Sequence, residues 1–221
     1  MNFPAFDTEL LLQINQAHNL ILDNVMLKLS DTWTWSFLIL VVLLVIIKDR
    51  PPREVALVIL GAVLCVVFAD QISSSLIKPL VARFRPTYDP DIMFQIRCIS
   101  GRGGSYGFVS SHAANTMAIA VFFGFVFRHY LLSMLLILWA IAVGYSRIYL
   151  GMHFPLDVLA GAGLGVLVGI LVYVALYHAV KRLSTSRVKY YSSAYTSSGY
   201  KVKDIHVIFV ALGLSIMYTL F

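Results

Sequence analysis

The chain has 221 residues, of which 59% are hydrophobic and 13% charged. Soluble domains run nearer half apolar and a quarter charged, so this composition excludes one and implies an integral membrane protein. The formal charge of +6 sits in short loops between apolar runs. That placement argues against a nucleic-acid partner and reads as topology signals, anionic-lipid contacts or an anion site.

In chain order, residues 1–31 mix Leu10, Leu11, Ile14, Ile21 and Leu22 with Asp7, Glu9, Gln13, Asn15, Asn19, Asp23 and Asn24. The pattern predicts one or two amphipathic helices in the membrane interface, with a soluble arm as the alternative. No basic leader precedes them, so no cleavable signal peptide is expected. Six membrane helices follow, over 32–48, 54–79, 111–128, 130–149, 155–180 and 205–221. Each is near the roughly 20 residues that cross ~30 Å of hydrocarbon. The expected fold is an all-α polytopic membrane bundle forming a single domain over 1–221, with a core at 54–180. The Ser- and Tyr-rich stretch 181–204 reads as a cytoplasmic linker before the last span. Cys65 lies in a span and Cys98 in a loop, so no disulfide is expected.

Loop charge sets the orientation. Lys48, Arg50, Arg53, Arg128 and the basic residues of 181–204 are cytoplasmic by the positive-inside rule. The second and fourth connections then face outward, although Arg97 and Arg102 run against the rule there.

Three polar clusters lie at outward ends of spans. Lys78 and Arg85 are seven apart and share a helical face if the second helix continues past Pro79. Lys and Arg suit phosphate oxygens, and each alone also reads as a snorkelling anchor. Ser110-Ser111-His112 opens the third span, where free N–H groups and the helix dipole favour an anion. A helix-terminal His is also commonly structural. Ser146-Arg147 ends the fourth span, and His153 and Asp157 sit four apart at the start of the fifth. A carboxylate on one imidazole nitrogen makes the other a better nucleophile. The plainer alternative is an interfacial His–Asp pair. Gly161, Gly165 and Gly169 form a small-residue face, either for close packing or for a dimer. Asp70, Ser74 and Lys78 share a face that fits interhelical hydrogen bonds or a polar path.

Taken together, the clusters resemble the type 2 phosphatidic acid phosphatase family, relatives of the vanadate-dependent haloperoxidases. Lys78 through Arg85-Pro86 matches the family's Lys, six residues, Arg-Pro signature. Ser146-Arg147, His153 and Asp157 match its Ser-Arg, five residues, His, three residues, Asp. Val109-Ser110-Ser111-His112 keeps the Ser and His of Pro-Ser-Gly-His and loses its Pro and Gly. The resemblance implies that His153 is the nucleophile, Asp157 orients it, and His112 protonates the leaving oxygen. It further implies that Lys78, Arg85, Ser110, Ser111 and Arg147 bind the phosphate, with no metal and no cofactor.

The expected protein is a lipid phosphate or pyrophosphate phosphatase of the bacterial cytoplasmic membrane, with its site facing the periplasm or exterior. Its partners are a membrane lipid phosphate and the bilayer; the oligomeric state is open. Undecaprenyl pyrophosphate is the first substrate expected, from small bacterial members of the family. Lipid A, phosphatidylglycerol phosphate and phosphatidic acid are alternatives. A lipid-to-lipid phosphotransferase or a non-catalytic lipid carrier are the rival functions.

Overall fold

The structure is a computed structural model that describes residues 4–17, 19–183 and 193–221. It is an all-α membrane bundle. Two short helices, α1 (Ala5–Gln16) and α2 (Leu20–Ser30), lead through a 3₁₀ turn at Thr32–Trp35 into α3 (Ser36–Asp49). Asn19 caps α2 by accepting from the backbone of Ile21 and Leu22. Next comes α4 (Pro52–Gln71), with Pro52 at a first-turn position where its missing N–H costs nothing. A wide π-helical stretch over Ile72–Ile77 carries the chain into α5 (Lys78–Val81). After a long loop come α6 (Ser111–Phe127), α7 (Tyr130–Tyr149), α8 (Pro155–Leu183) and α9 (Val202–Leu220).

Among the described residues, five stretches are long and apolar enough to cross a membrane: Thr32–Asp49, Pro52–Val81, Tyr130–Tyr149, Pro155–Lys181 and Val202–Leu220. The remaining expected span is α6, apolar but 17 residues long. It is the central helix, packed by α4, α7 and α8. The glycine face of α8 explains how closely. A Cβ on Gly161 would lie 2.5 Å from the Ser110 carbonyl oxygen, and one on Gly165 would lie 2.4 Å from that of Ala114. Gly169 meets Ala118 in the same way. The stripe is therefore spent inside the chain, on α6, rather than on a second copy.

The two ends of the bundle differ in what ties them together. At one end Lys48 meets Asp204, Lys201 meets Asp49, and Arg50 bonds Glu54 and the Ser198 carbonyl. The Ser198 hydroxyl in turn donates to the Phe127 carbonyl. At the other end Lys28 of α2 reaches the Tyr218 carbonyl near the end of α9. The expected linker 181–204 lies partly outside the described residues, since 184–192 are not among them.

The N-terminal helices bury a mixed face. Asp7 and Asn15 are fully buried, as is Leu11, whereas Leu20 and Ile21 are exposed. The buried polar groups meet a guanidinium and backbone groups. Asn15 donates to the carbonyls of Arg97 and Tyr149 and accepts from the Arg97 N–H. Arg97 forks onto Asp23, which also accepts from the Tyr149 hydroxyl. The helices thus staple the loop before α6 to the end of α7.

Candidate functional site

Lys78 and Arg85 are not on one helix face. Ala82 adopts a left-handed conformation, φ 50°, and ends α5, so Arg85 lies beyond the helix. Pro79 is accommodated in the first turn of α5, directly after the wide stretch. Arg85 is placed instead by strand-like pairing of the two loop arms. Its N–H donates to the Ser105 carbonyl, and the Gly107 N–H donates to the Arg83 carbonyl. Its Nε donates to the Tyr106 carbonyl at 3.2 Å, while Nη1 is buried and makes no hydrogen bond among the described residues.

Lys78 points to the start of α6. Its Nζ donates to the Ser111 hydroxyl at 2.7 Å. Ser73 and Ser74 also bond that hydroxyl, at 2.9 and 3.0 Å. Ser74 thus makes the interhelical hydrogen bond that its face allowed. The wide turn brings these two serines, next to each other in sequence, onto one partner. Neither was singled out from the sequence as a site residue. Ser111 stands where the family pattern has Gly, and its hydroxyl is what holds Lys78.

Ser110 is the N-cap of α6, accepting from the Ala113 N–H at 3.5 Å. Its own N–H donates to the Asp157 carbonyl at 2.9 Å, which locks the start of α6 to the start of α8. His112 follows in the first turn, half-buried, within electrostatic reach of Arg147, His153, Arg85 and Lys78.

At the end of α7, Arg147 is 8% exposed and its Nη1 donates to the Ser30 hydroxyl of α2. Its Nε is buried without a hydrogen-bond partner among the described residues. The chain then turns through Gly151, φ 71°, where a Cβ would strike Ile96 at 2.7 Å. His153 and Asp157 follow, both buried. Nδ1 of His153 is 3.5 Å from Oδ2 of Asp157, an ion-pair separation longer than a good hydrogen bond. The same oxygen accepts from the Phe154 N–H at 3.1 Å. Gly107 permits this approach, since a Cβ there would sit 2.9 Å from Oδ2.

Burial holds the His153 imidazole well below the ordinary histidine range, and the charges of Arg85, Arg147 and Lys78 lower it further. The Gly107 backbone opposes them weakly. The ring is therefore neutral at neutral pH. All eight residues expected from the sequence converge at the one end of the bundle. Three cations and the α6 N-terminus surround two imidazoles, a constellation able to hold a tetrahedral anion against a neutral nitrogen nucleophile. Among the described residues, no cluster of three or more His, Cys, Asp or Glu could hold a metal ion.

Two charged residues, besides Ser73 and Ser74, were not expected at the site. Arg83, 7% exposed at its side chain, donates from Nη1 to Asp157 Oδ1 at 2.7 Å and from Nη2 to Asp7 Oδ2 at 2.6 Å. Arg83 was visible within the first cluster, two residues before Arg85. Asp7 carried no signal, because its partners are distant in the chain.

Comparison with known proteins agrees with this arrangement. The family model described as PAP2 superfamily matches residues 55–181. Lipid A 4'-phosphatase of Porphyromonas gingivalis is 35% identical over 207 residues, 91% of this chain and 86% of the relative. Lipid A 4'-phosphatase of Bacteroides thetaiotaomicron is 34% identical over 81% of this chain and 80% of the relative. Among solved structures, LpxE of Aquifex aeolicus is 25% identical at a TM-score of 0.59, covering 76% of this chain and 95% of that one. A phosphatidylglycerolphosphate phosphatase of Bacillus subtilis, 20% identical at a TM-score of 0.61 over 83% and 88% of the two chains, shares the fold. With the family match spanning the clustered residues and relatives similar along most of the chain, this multi-pass membrane protein belongs to the PAP2 superfamily and is a phosphatase.

Proposed function

We propose that the protein removes a phosphate from a lipid A-type headgroup at the outer face of the bacterial cytoplasmic membrane, through a phosphohistidine on His153. The observation that carries the reading is the buried, neutral His153 beside Asp157, facing Arg85, Arg147 and Lys78. The two relatives named lipid A 4'-phosphatase move the first substrate away from undecaprenyl pyrophosphate, the one expected from the sequence. Sidedness rests on charge: Lys48, Arg50 and Arg128 lie at the end opposite the site.

In this mechanism Asp157 faces Nδ1 of His153, so Nε2 is the nucleophile. Arg85, Arg147, Lys78 and the α6 N-terminus, with Ser110 and Ser111, hold the phosphate oxygens. They stabilise the charge that builds in the transition state. As the P–N bond forms, the bond from phosphorus to the lipid oxygen breaks, and His112 donates a proton to that oxygen. His112 then takes a proton from water, which attacks phosphorus and releases inorganic phosphate and free His153.

The test is phosphate release by purified protein in EDTA. The panel is lipid A, undecaprenyl pyrophosphate, phosphatidylglycerol phosphate and phosphatidic acid. The expected result is highest kcat/KM on lipid A, with inhibition by orthovanadate as a transition-state mimic. Preference for another lipid replaces the substrate; activity that needs Mg²⁺ added back overturns the mechanism.

A further inference from the structure

Beyond the phosphate-binding residues, the site holds a buried charge chain whose far member comes from outside the region of the family match. Asp7 lies on α1, and residues 55–181 carry that match. Its side chain is 0% exposed, as is that of Asp157, and Arg83 between them is 7% exposed. Oδ2 of Asp7 meets Nη2 of Arg83 at 2.6 Å, and Nη1 of Arg83 meets Oδ1 of Asp157 at 2.7 Å. The other oxygen of Asp7 accepts from the Leu156 N–H at 2.9 Å, in the first turn of α8, one residue before Asp157. The Arg83 guanidinium lies 3.8 Å from the centre of the Phe154 ring, which fixes its plane. Asp7 therefore touches both the backbone that carries Asp157 and the cation that binds it.

Charge counting shows what this can do. When His153 takes up a phosphoryl group while keeping its Nδ1 proton, its ring becomes positively charged. Arg85, Arg147 and Lys78 all oppose that charge. Arg83 with Asp157 alone is a neutral pair and offers little to offset it. Asp7 adds the second carboxylate, so the buried chain Asp7–Arg83–Asp157 is net negative beside the ring. In a water-poor site such a charge acts strongly. Burying it is costly unless it is well bonded, and both Asp7 oxygens are bonded.

We propose that Asp7 is a positioning residue for phosphoryl transfer, acting through Arg83 to orient Asp157 and to supply the negative charge that the phosphorylated His153 ring needs. The proposal rests on the phosphohistidine reading above. It gives the N-terminal helix a role in the chemistry rather than only in membrane contact.

The experiment uses full-length protein in detergent, with lipid A as substrate. It compares Asp7→Asn, Arg83→Gln, the double variant, Asn15→Ala and His153→Ala. Rapid quench reads the rate of phosphohistidine formation, steady state gives KM, and thermal unfolding gives stability. Asp7→Asn should slow phosphohistidine formation about 10- to 100-fold, the usual cost of an outer orienting partner, with KM within about twofold.

Arg83→Gln should be slower still, because two buried carboxylates are left facing each other. Adding Asp7→Asn to Arg83→Gln should recover part of that loss, since it restores the net charge; a purely structural bridge gives no recovery. Asn15→Ala loosens the far end of α1 without touching Arg83. If it slows the reaction as much as Asp7→Asn at equal loss of stability, docking alone is the cause and the proposal is overturned. A wild-type rate in Asp7→Asn, or no recovery in the double variant, also overturns it. Turnover in His153→Ala would instead sink the phosphohistidine reading itself.

Discussion

The two ends of the bundle use the same ion-pair chemistry under opposite conditions. At the site end, Arg83, Asp7 and Asp157 have side chains 7%, 0% and 0% exposed. At the other end, Lys48 is 56% exposed where it meets Asp204, and Lys201 is 36% exposed where it meets Asp49. Exposed pairs are screened by water and salt and contribute little. Buried ones are costly to form and severe to break. The acids are buried at both ends, Asp204 at 7% and Asp49 at 2%, so the difference lies in whether the cation is buried with its acid. Arg83 is, and it is placed to shape a reacting group; Lys48 and Lys201 are not, and they tie the ends of α3 and α9 together.

Substitutions at the two ends should test that difference. His153→Ala should have the largest effect. Phosphate release should fall by about 10⁴-fold or more, as when a nucleophile is removed, while the thermal transition persists. Residual turnover near wild type would place the chemistry elsewhere.

His112→Ala should come next, with a loss of about 10²–10⁴-fold, the usual range for general acid–base catalysis. The loss should be greater on a lipid monophosphate than on a matched pyrophosphate, because the alkoxide is the poorer leaving group. First-turnover rates on the two substrates measure this. Equal losses would make His112 an electrostatic partner of the phosphate rather than a proton donor.

A smaller effect is expected from Ser111→Gly, which restores the family residue and removes the hydroxyl 2.7 Å from Lys78. The backbone N–H survives, so the change should fall on KM by a few-fold, the equivalent of one hydrogen bond to a charged group. A loss in kcat with KM unchanged would assign the hydroxyl to the transition state. At the end away from the site, Lys48→Ala should leave turnover unchanged. A drop there would erase the contrast between the ends.

Much of this was legible in the sequence because it is encoded in local spacing. His153 and Asp157 are four apart, in the turn before α8 and in its first turn, and the Gly161, Gly165 and Gly169 stripe is periodic. Five of the six expected spans are apolar runs of membrane length, and the sixth, α6, is shorter. The Lys78–Arg85 face was misplaced because the left-handed Ala82 ends α5, and a heptad interval does not reveal a break. Ser73 and Ser74 were weighed only as polar residues within a span, since the widened turn re-aims them. Asp7 was read as a polar residue of an amphipathic helix. Its bond to Arg83 spans 76 residues, and a contact that long has no signature in one sequence. The burial of Asn15 was hidden for the same reason: its partners, Arg97 and Tyr149, lie far along the chain.

The length of α6 has a consequence for the substrate lipid. At 17 residues and 1.5 Å per residue, the helix is about 25 Å long, some 5 Å short of a ~30 Å hydrocarbon core. Lipid cannot solvate irregular backbone, so chain at that depth must be covered by protein. Val109, Ser110, His153 and Phe154 are each no more than 3% exposed, which meets that requirement. Because α6 is enclosed by α4, α7 and α8, which are long enough to span, the bilayer does not feel its length and the mismatch opens inside the bundle. A headgroup therefore has to sink between longer helices to meet the start of α6, and the depth to which a lipid can sink becomes a physical variable of this enzyme.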